Sequence, residues 1–190
     1  MIYPRINISK ALWFAKSKLT KFTYGEMGKH SYVGKTLFVQ RRKNLKIGNN
    51  VRIYPGMRAE LTKPSAFIQI EDNVSIGQNF HVVSYDGTLY VGRNTTISGN
   101  VFISNVDHSY GAIDMHVMEQ QMIYKKTVIG ENCFIGYGAV ILPGTKLGKQ
   151  CIVGANSVVK GEFEDYCVIV GNPARVIKRY NSKSRNWENV

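Results

Sequence analysis

The sequence predicts an all-β solenoid, a chain coiled as a parallel β-helix. Three observations predict it: a six-residue aliphatic rhythm, glycine directly after many of the aliphatic positions, and the lack of a helical stretch inside the rhythm. The unbroken run is Ile129, Ile135, Ile141, Leu147, Val153 and Val159. Shorter runs precede it: Ile47, Ile53, Ala59; then Ile70, Ile76, Val82; then Val91, Ile97, Ile103. Seven of these fifteen positions are followed by Gly, and the fourth residue on is small or β-branched, as at Val51, Thr95, Cys133, Ala139 and Ser157.

A period of six matches neither a helix, at about 3.6 residues per turn, nor one long strand, at about 2. It matches a short strand, a corner and another short strand. Three such sides make a coil of eighteen residues, and stacked coils pair their backbones at about 4.8 Å. No coil can bury its own inner face, so stacking is obligatory. The aliphatic side chains are expected to point into the prism and the glycines to take its tight corners. Cys133 and Cys151, eighteen apart, should stack inside as small core residues rather than as a redox pair. A doubly wound α/β domain would need helices between its strands. None is visible between residues 45 and 104 or between 127 and 160.

This divides the chain into a basic N-terminal helical or capping segment over residues 1–44, a β-helix over 45–160 and a C-terminal turn and basic tail over 161–190. Residues 6–22 are expected to form a helix, with Ile8, Leu12, Phe14, Ala15, Leu19 and Phe22 as its apolar face and Ser9 near its start. Its expected role is a lid on the first coil. The alternative is a surface helix lying on anionic lipid through Lys10, Lys16, Lys18 and Lys21. After Val159 the rhythm stops, and Gly171–Asn172–Pro173 should turn the chain.

Charge is unevenly spread. The 190 residues carry +12, of which residues 1–50, with Glu26 as their single acid, hold +10. Such an end suits an anionic partner: a membrane surface, a phosphate-bearing substrate or nucleic acid. No nucleic-acid motif is present, so nucleic acid is not an expected partner, and peripheral membrane contact through residues 1–50 is retained beside a merely solvated surface. The three cysteines make neither a disulfide framework nor a zinc spacing, and no apolar run reaches membrane-spanning length. A cytoplasmic location is expected, at most peripheral to the inner face of the membrane, with no metal.

The rhythm breaks most between Ile103 and Ile129, 26 residues apart. The excursion, residues 104–126, holds Asn105-Val106-Asp107-His108-Ser109-Tyr110-Gly111. Long loops on rigid scaffolds usually serve function, and solenoid insertions map to the binding surface. An imidazole there could take a proton from an attacking hydroxyl. A three-histidine metal site from His81, His108 and His116 is a weaker alternative.

The Ile-Gly hexapeptides, the Asp107–His108 excursion and the closing Gly171-Asn172-Pro173-Ala174-Arg175-Val176-Ile177-Lys178 resemble the hexapeptide-repeat acetyltransferases. The branch that O-acetylates lipopolysaccharide O-antigen or capsule sugars is the nearer match, and the galactoside and maltose O-acetyltransferases the more distant. The resemblance spans about residues 45–190. It implies a left-handed parallel β-helix, a homotrimer with active sites between subunits, and acetyl-CoA as co-substrate. It further implies His108 as general base, and Asn79 and Asp86 at the acceptor. It puts Tyr137, Ala155, Lys160, Arg175 and Lys178 along the CoA, Tyr137 and Ala155 through their backbone. The sequence departs from the pattern at Lys160, where threonine is common, and at Phe134. N-acetylation of a nucleotide-linked amino sugar on the same fold is the alternative activity.

Overall fold

The structure, a computed structural model, describes residues 8–190. The first two residues of the expected 6–22 helix, and Arg5 of the basic segment, lie outside them. From Glu26 onward the chain winds through about six turns, laying strands on three parallel sheets, here called faces A, B and C. One coil shows the order: Thr88–Val91 lies on face A, Thr96–Ile97 on B and Phe102–Ser104 on C. The coils stack in step. Val91 pairs with Ile70 and Ile129, Ile97 with Ile76 and Ile135, and Ile103 with Val82 and Ile141.

The rhythm is the core. All fifteen aliphatic positions are at most 3% exposed. The small residues four further on are buried as well, and the polar ones are satisfied. Thr95 Oγ1 donates to the Gly130 carbonyl and accepts from Cys133 N–H, and Ser157 Oγ accepts from Gly171 N–H. Cys133 and Cys151 stack as expected, and Cys167 continues the column.

The glycines do something other than expected. The left-handed corner belongs to the third residue after the aliphatic position, and asparagine usually fills it: Asn50, Asn73, Asn79, Asn94, Asn100, Asn132 and Asn156 all have φ between 55° and 59°. The glycine directly after the aliphatic residue has no positive φ at Gly48, Gly77, Gly92, Gly130, Gly136, Gly148 or Gly154. It is needed for close approach instead. A Cβ at Gly136 would lie 2.5 Å from Ala155 N in the coil above.

Coil length varies, and all the variation falls at one corner. Between successive inward positions the interval across the A–B and B–C corners stays at six. Across the C–A corner it is 8 from Val39 to Ile47, 11 from Ala59 to Ile70 and 9 from Val82 to Val91. It then becomes 26 from Ile103 to Ile129, 6 from Ile141 to Leu147 and 4 from Val159 to Phe163. One edge of the prism is therefore free to carry insertions while the other two are fixed.

The ends differ from expectation. Coiling starts a turn before residue 45, with Glu26–Met27, Tyr32–Val33 and Phe38–Val39. Helix α1 spans Ile8–Thr20 and docks on the first coil, but not through the expected apolar face. Its buried side chain is Ser17, whose Oγ accepts from Val33 N–H at 2.9 Å. Trp13 packs beside Tyr32 and Tyr54. Ile8, Leu12, Ala15, Leu19 and Phe22 face outward. At the other end, Ala174–Asn181 folds back antiparallel on Cys167–Gly171 after the Gly171–Asn172–Pro173 turn, and Asn186–Asn189 pairs with it in turn.

Candidate active site

The excursion at the C–A corner is not an irregular loop. Val106–His108 pairs antiparallel with Met122–Tyr124, placing His108 opposite Met122. Asn105 roots this hairpin. Fully buried, it donates through Nδ2 to Ser84 Oγ and to the Asp86 carbonyl, and accepts from Tyr85 N–H through Oδ1 at 2.8 Å. Asp107 accepts from Lys125 Nζ at 3.1 Å and from its neighbour's N–H at His108. The Lys125 ammonium foremost holds the Asp107 carboxyl below the usual carboxylate range, with Lys160 adding to it. Asp107 thus fixes the backbone that carries the imidazole.

His108 is half-buried, with Nδ1 sealed from solvent and without a partner. Nε2 also makes no hydrogen bond, but it is open. A neutral imidazole with an open Nε2 can accept a proton there.

The other expected site residues divide between two edges of face C. Asp86 and Lys160 share the C–A edge with His108. Asp86 caps Gly87 N–H at 2.8 Å and lies 3.5 Å from Lys63 Nζ. Its carboxyl is lowered first by a hydrogen bond from Ser65. Asn79, Tyr137, Ala155 and Arg175 line the B–C edge instead. Asn79 is a left-handed corner residue whose Nδ2 donates to Asn100 Oδ1 at 3.0 Å. Asn100 in turn donates to the Tyr137 hydroxyl. Lys178 pairs with Val168, three residues past Arg175 on the same strand of face B. Lys160 follows Ala155 by five positions along the chain, so the two edges of one protomer stand on the order of 15 Å apart.

The B–C edge offers donors. Tyr137 N–H and Ala155 N–H, in stacked coils, make no hydrogen bond among the described residues. The matching N–H groups of Lys29, Asn49 and Lys149 at the A–B corner are capped by Asn49, Asp72 and Asp165 of the next coil. Arg175, exposed, stands above the open pair.

The three cysteines are buried core residues. The Cys151 thiol and burial together hold the Cys133 thiol above the ordinary thiol range, the Cys133 thiol in turn lowers Cys151, and burial raises Cys167. His81 is tied to Glu60 at 2.8 Å on face C, and His116 Nδ1 accepts from Met118 N–H at the hairpin tip. Neither lies beside His108 in the fold.

Lys125 and Asn105 were not singled out in the sequence. The signal for Asn105 was present: Ser104-Asn105 puts polar residues where the strand enters the corner. Lys125 becomes informative only once the return strand pairs with Val106–His108.

Residues 126–161 match the family model "Bacterial transferase hexapeptide (six repeats)". The chain is 31% identical over 164 residues to a protein of Escherichia coli (strain K12) provisionally named a lipopolysaccharide biosynthesis O-acetyl transferase, WbbJ, covering 80% of each chain. It is 31% identical over 157 residues to an Escherichia coli dTDP-4-amino-4,6-dideoxy-D-glucose acyltransferase, covering 77% of this chain and 78% of that one. The fold matches AntD, an N-acyltransferase from Bacillus cereus solved with dTDP and 3-hydroxybutyryl-CoA, at TM-score 0.74 and 19% identity, over 90% of this chain and 92% of that one. With its hexapeptide coils stacked in register and its excursion at one corner, the chain is a left-handed β-helical enzyme that belongs to the hexapeptide-repeat acetyltransferase family.

Proposed function

We propose that this enzyme transfers an acetyl group from acetyl-CoA to a sugar hydroxyl in surface-polysaccharide biosynthesis, in lipopolysaccharide O-antigen or capsule. His108 acts as general base. The observation that carries this is the open Nε2 of His108 on a hairpin root fastened by Asn105 and Asp107. A hydroxyl must lose its proton to become a competent nucleophile, and a positioned base provides for that. An amine also sheds a proton as it is acylated, so the same base would serve either acceptor. The resemblance to WbbJ favours the hydroxyl.

The co-substrate supplies an activated carbonyl and a thiol leaving group. The open N–H groups of Tyr137 and Ala155 suit it: Tyr137 can donate to the carbonyl oxygen as charge develops, and Ala155 can hold the amide-bearing arm. Arg175, Lys178 and Lys160 provide cationic charge for phosphates. Asn79 and Asp86 are assigned to the acceptor. Because His108 and the open N–H groups of Tyr137 and Ala155 lie on different edges of face C, we assign the site to a seam between protomers of a homotrimer. One protomer supplies the His108 edge and its neighbour the Tyr137 edge. The exposed apolar tip of the hairpin, with Tyr110, Ile113 and Met118 at least 66% exposed, suits burial against that neighbour.

His108→Ala should lower turnover ~10²–10⁴-fold while leaving CoA binding intact. The measurement is thiol release from acetyl-CoA across a panel of sugar acceptors, with the product mapped. Near-normal turnover in the variant would remove His108 as base. A second reading, N-acylation of a nucleotide-linked amino sugar, is favoured by the similarity to the dideoxy-glucose acyltransferase and to AntD. It predicts that matched amino and hydroxyl acceptors compete in favour of the amine.

A further inference from the structure

We propose that α1 is a membrane-docking helix that lays its outward apolar stripe on an anionic phospholipid surface. Ile8, Leu12, Ala15 and Leu19 recur at alternating steps of four and three, so they share one face of the helix, and Phe22 continues the spacing in the short 3₁₀ turn Lys21–Thr23 that follows. Ser17, on the opposite side, is the buried anchor. The stripe is bare: Ile8, Leu12, Leu19 and Phe22 are 64–75% exposed. Lys16 and Lys18 flank it at about 80° to either side. An apolar face bordered by lysines is the pattern of a helix lying in the plane of a bilayer interface. No helix among the described residues is long and apolar enough to cross a membrane, so the contact is peripheral.

Charge complementarity identifies the occupant. Lys10 aside, no Lys or Arg between residues 8 and 50 makes a salt bridge among the described residues, whereas seven in the rest of the chain do. The positive charge of residues 8–50, Lys10 aside, is therefore not ion-paired within the described residues. Part of it is gathered: a cavity of about 370 Å³ between α1 and the first coil is lined by Lys18, Lys21, Lys29 and His30, with Phe14 and Ser17 on its helix side. That cavity lies on the body-facing side of α1, away from the stripe, and its charge suits a phosphate group. A second copy of the chain would bring the same positive charge against itself. This inference does not depend on the acceptor assigned above.

The test is co-sedimentation of the full-length protein with vesicles of phosphatidylcholine containing about one third phosphatidylglycerol, against phosphatidylcholine alone. Binding to the anionic vesicles only, weakened by raised salt, is expected. Leu12→Asp/Leu19→Asp should weaken it at least tenfold, as should Lys18→Glu/Lys21→Glu/Lys29→Glu. All five positions are exposed, so oligomeric mass and thiol release with a soluble acceptor should stay at wild-type values. Equal binding to both vesicle types, or none to either, overturns the proposal. So does a change of oligomeric mass in the leucine variant, which would assign the stripe to a contact between copies. Loss of vesicle binding with turnover intact separates this inference from the acetyl-transfer assignment.

Discussion

Asn132 and Gly136 show how two residue types divide the labour of a corner. Asn132 has φ 57°, where a side chain other than that of Asn or Gly is strained. Asn132→Gly should change stability little, whereas Asn132→Val should cost ~1–2 kcal/mol. Gly136 has no such φ, yet Gly136→Ala would press a methyl into the backbone of Gly154 and Ala155. Backbone cannot swing aside, so ~1–3 kcal/mol is expected. Urea midpoints of the three variants test the division: if Asn132→Val costs nothing, the corner is not strained. Asn105 matters in a different way. Asn105→Ala removes three hydrogen bonds and leaves Tyr85 N–H and the Asp86 carbonyl without that partner, while Ser84 Oγ keeps the Phe67 carbonyl. A loss of ~2–4 kcal/mol is expected, since each buried group left unsatisfied costs about 1–3 kcal/mol. Turnover should fall while the CoA KM holds, because the hairpin and not the Tyr137 edge is disturbed. A selective rise in that KM would contradict this.

At the scale of the element, the hairpin depends on the Asp107–Lys125 contact. The folded carboxyl sits below its ordinary range, so its contribution is complete at neutral pH. It drains as pH falls from the ordinary carboxylate range through the lowered value. Amide exchange at Ser109, whose N–H donates to the Gln121 carbonyl, should quicken on acidification before the coils open. Asp107→Asn should quicken it already at neutral pH; unchanged exchange in that variant would dismiss the contact as a brace. The hairpin was not legible in the sequence because its strands are three residues each, too short for a period to register. The coils were legible because every inward position must be apolar. The first coil keeps the same rhythm at Met27, Val33 and Val39, but one turn of it among many lysines does not stand out. The helix misled for a physical reason: periodicity identifies an apolar face but not what the face meets, and here the body takes Trp13 and Ser17 instead.

For the whole molecule, the decisive feature is that the residues assigned to one reaction sit on two edges. Face C keeps His108, Asp86 and Lys160 on the order of 15 Å from Tyr137 and Ala155 of the same protomer, so the proposed reaction requires a second protomer. The homotrimer proposed above would supply it, because each protomer of a ring meets its neighbour through unlike surfaces. This was only half legible in the sequence: the residues could be picked from the resemblance, but their separation depends on where the corners fall. It also yields a test that single variants cannot give. His108→Ala damages one edge, and Ala155→Trp, at an exposed position, blocks the other. Each alone should lose ~10²-fold or more. Assembled together at equal proportion, a seam is intact when one protomer brings a sound His108 edge and its neighbour a sound Ala155 edge. Random mixing meets both conditions at about a quarter of the seams, so co-expression should restore about a quarter of wild-type turnover. A site within one protomer would restore none, since every protomer carries a defect. Two different affinity tags, pulled in sequence, establish that the assemblies are mixed; mixed assemblies without activity would refute the shared seam.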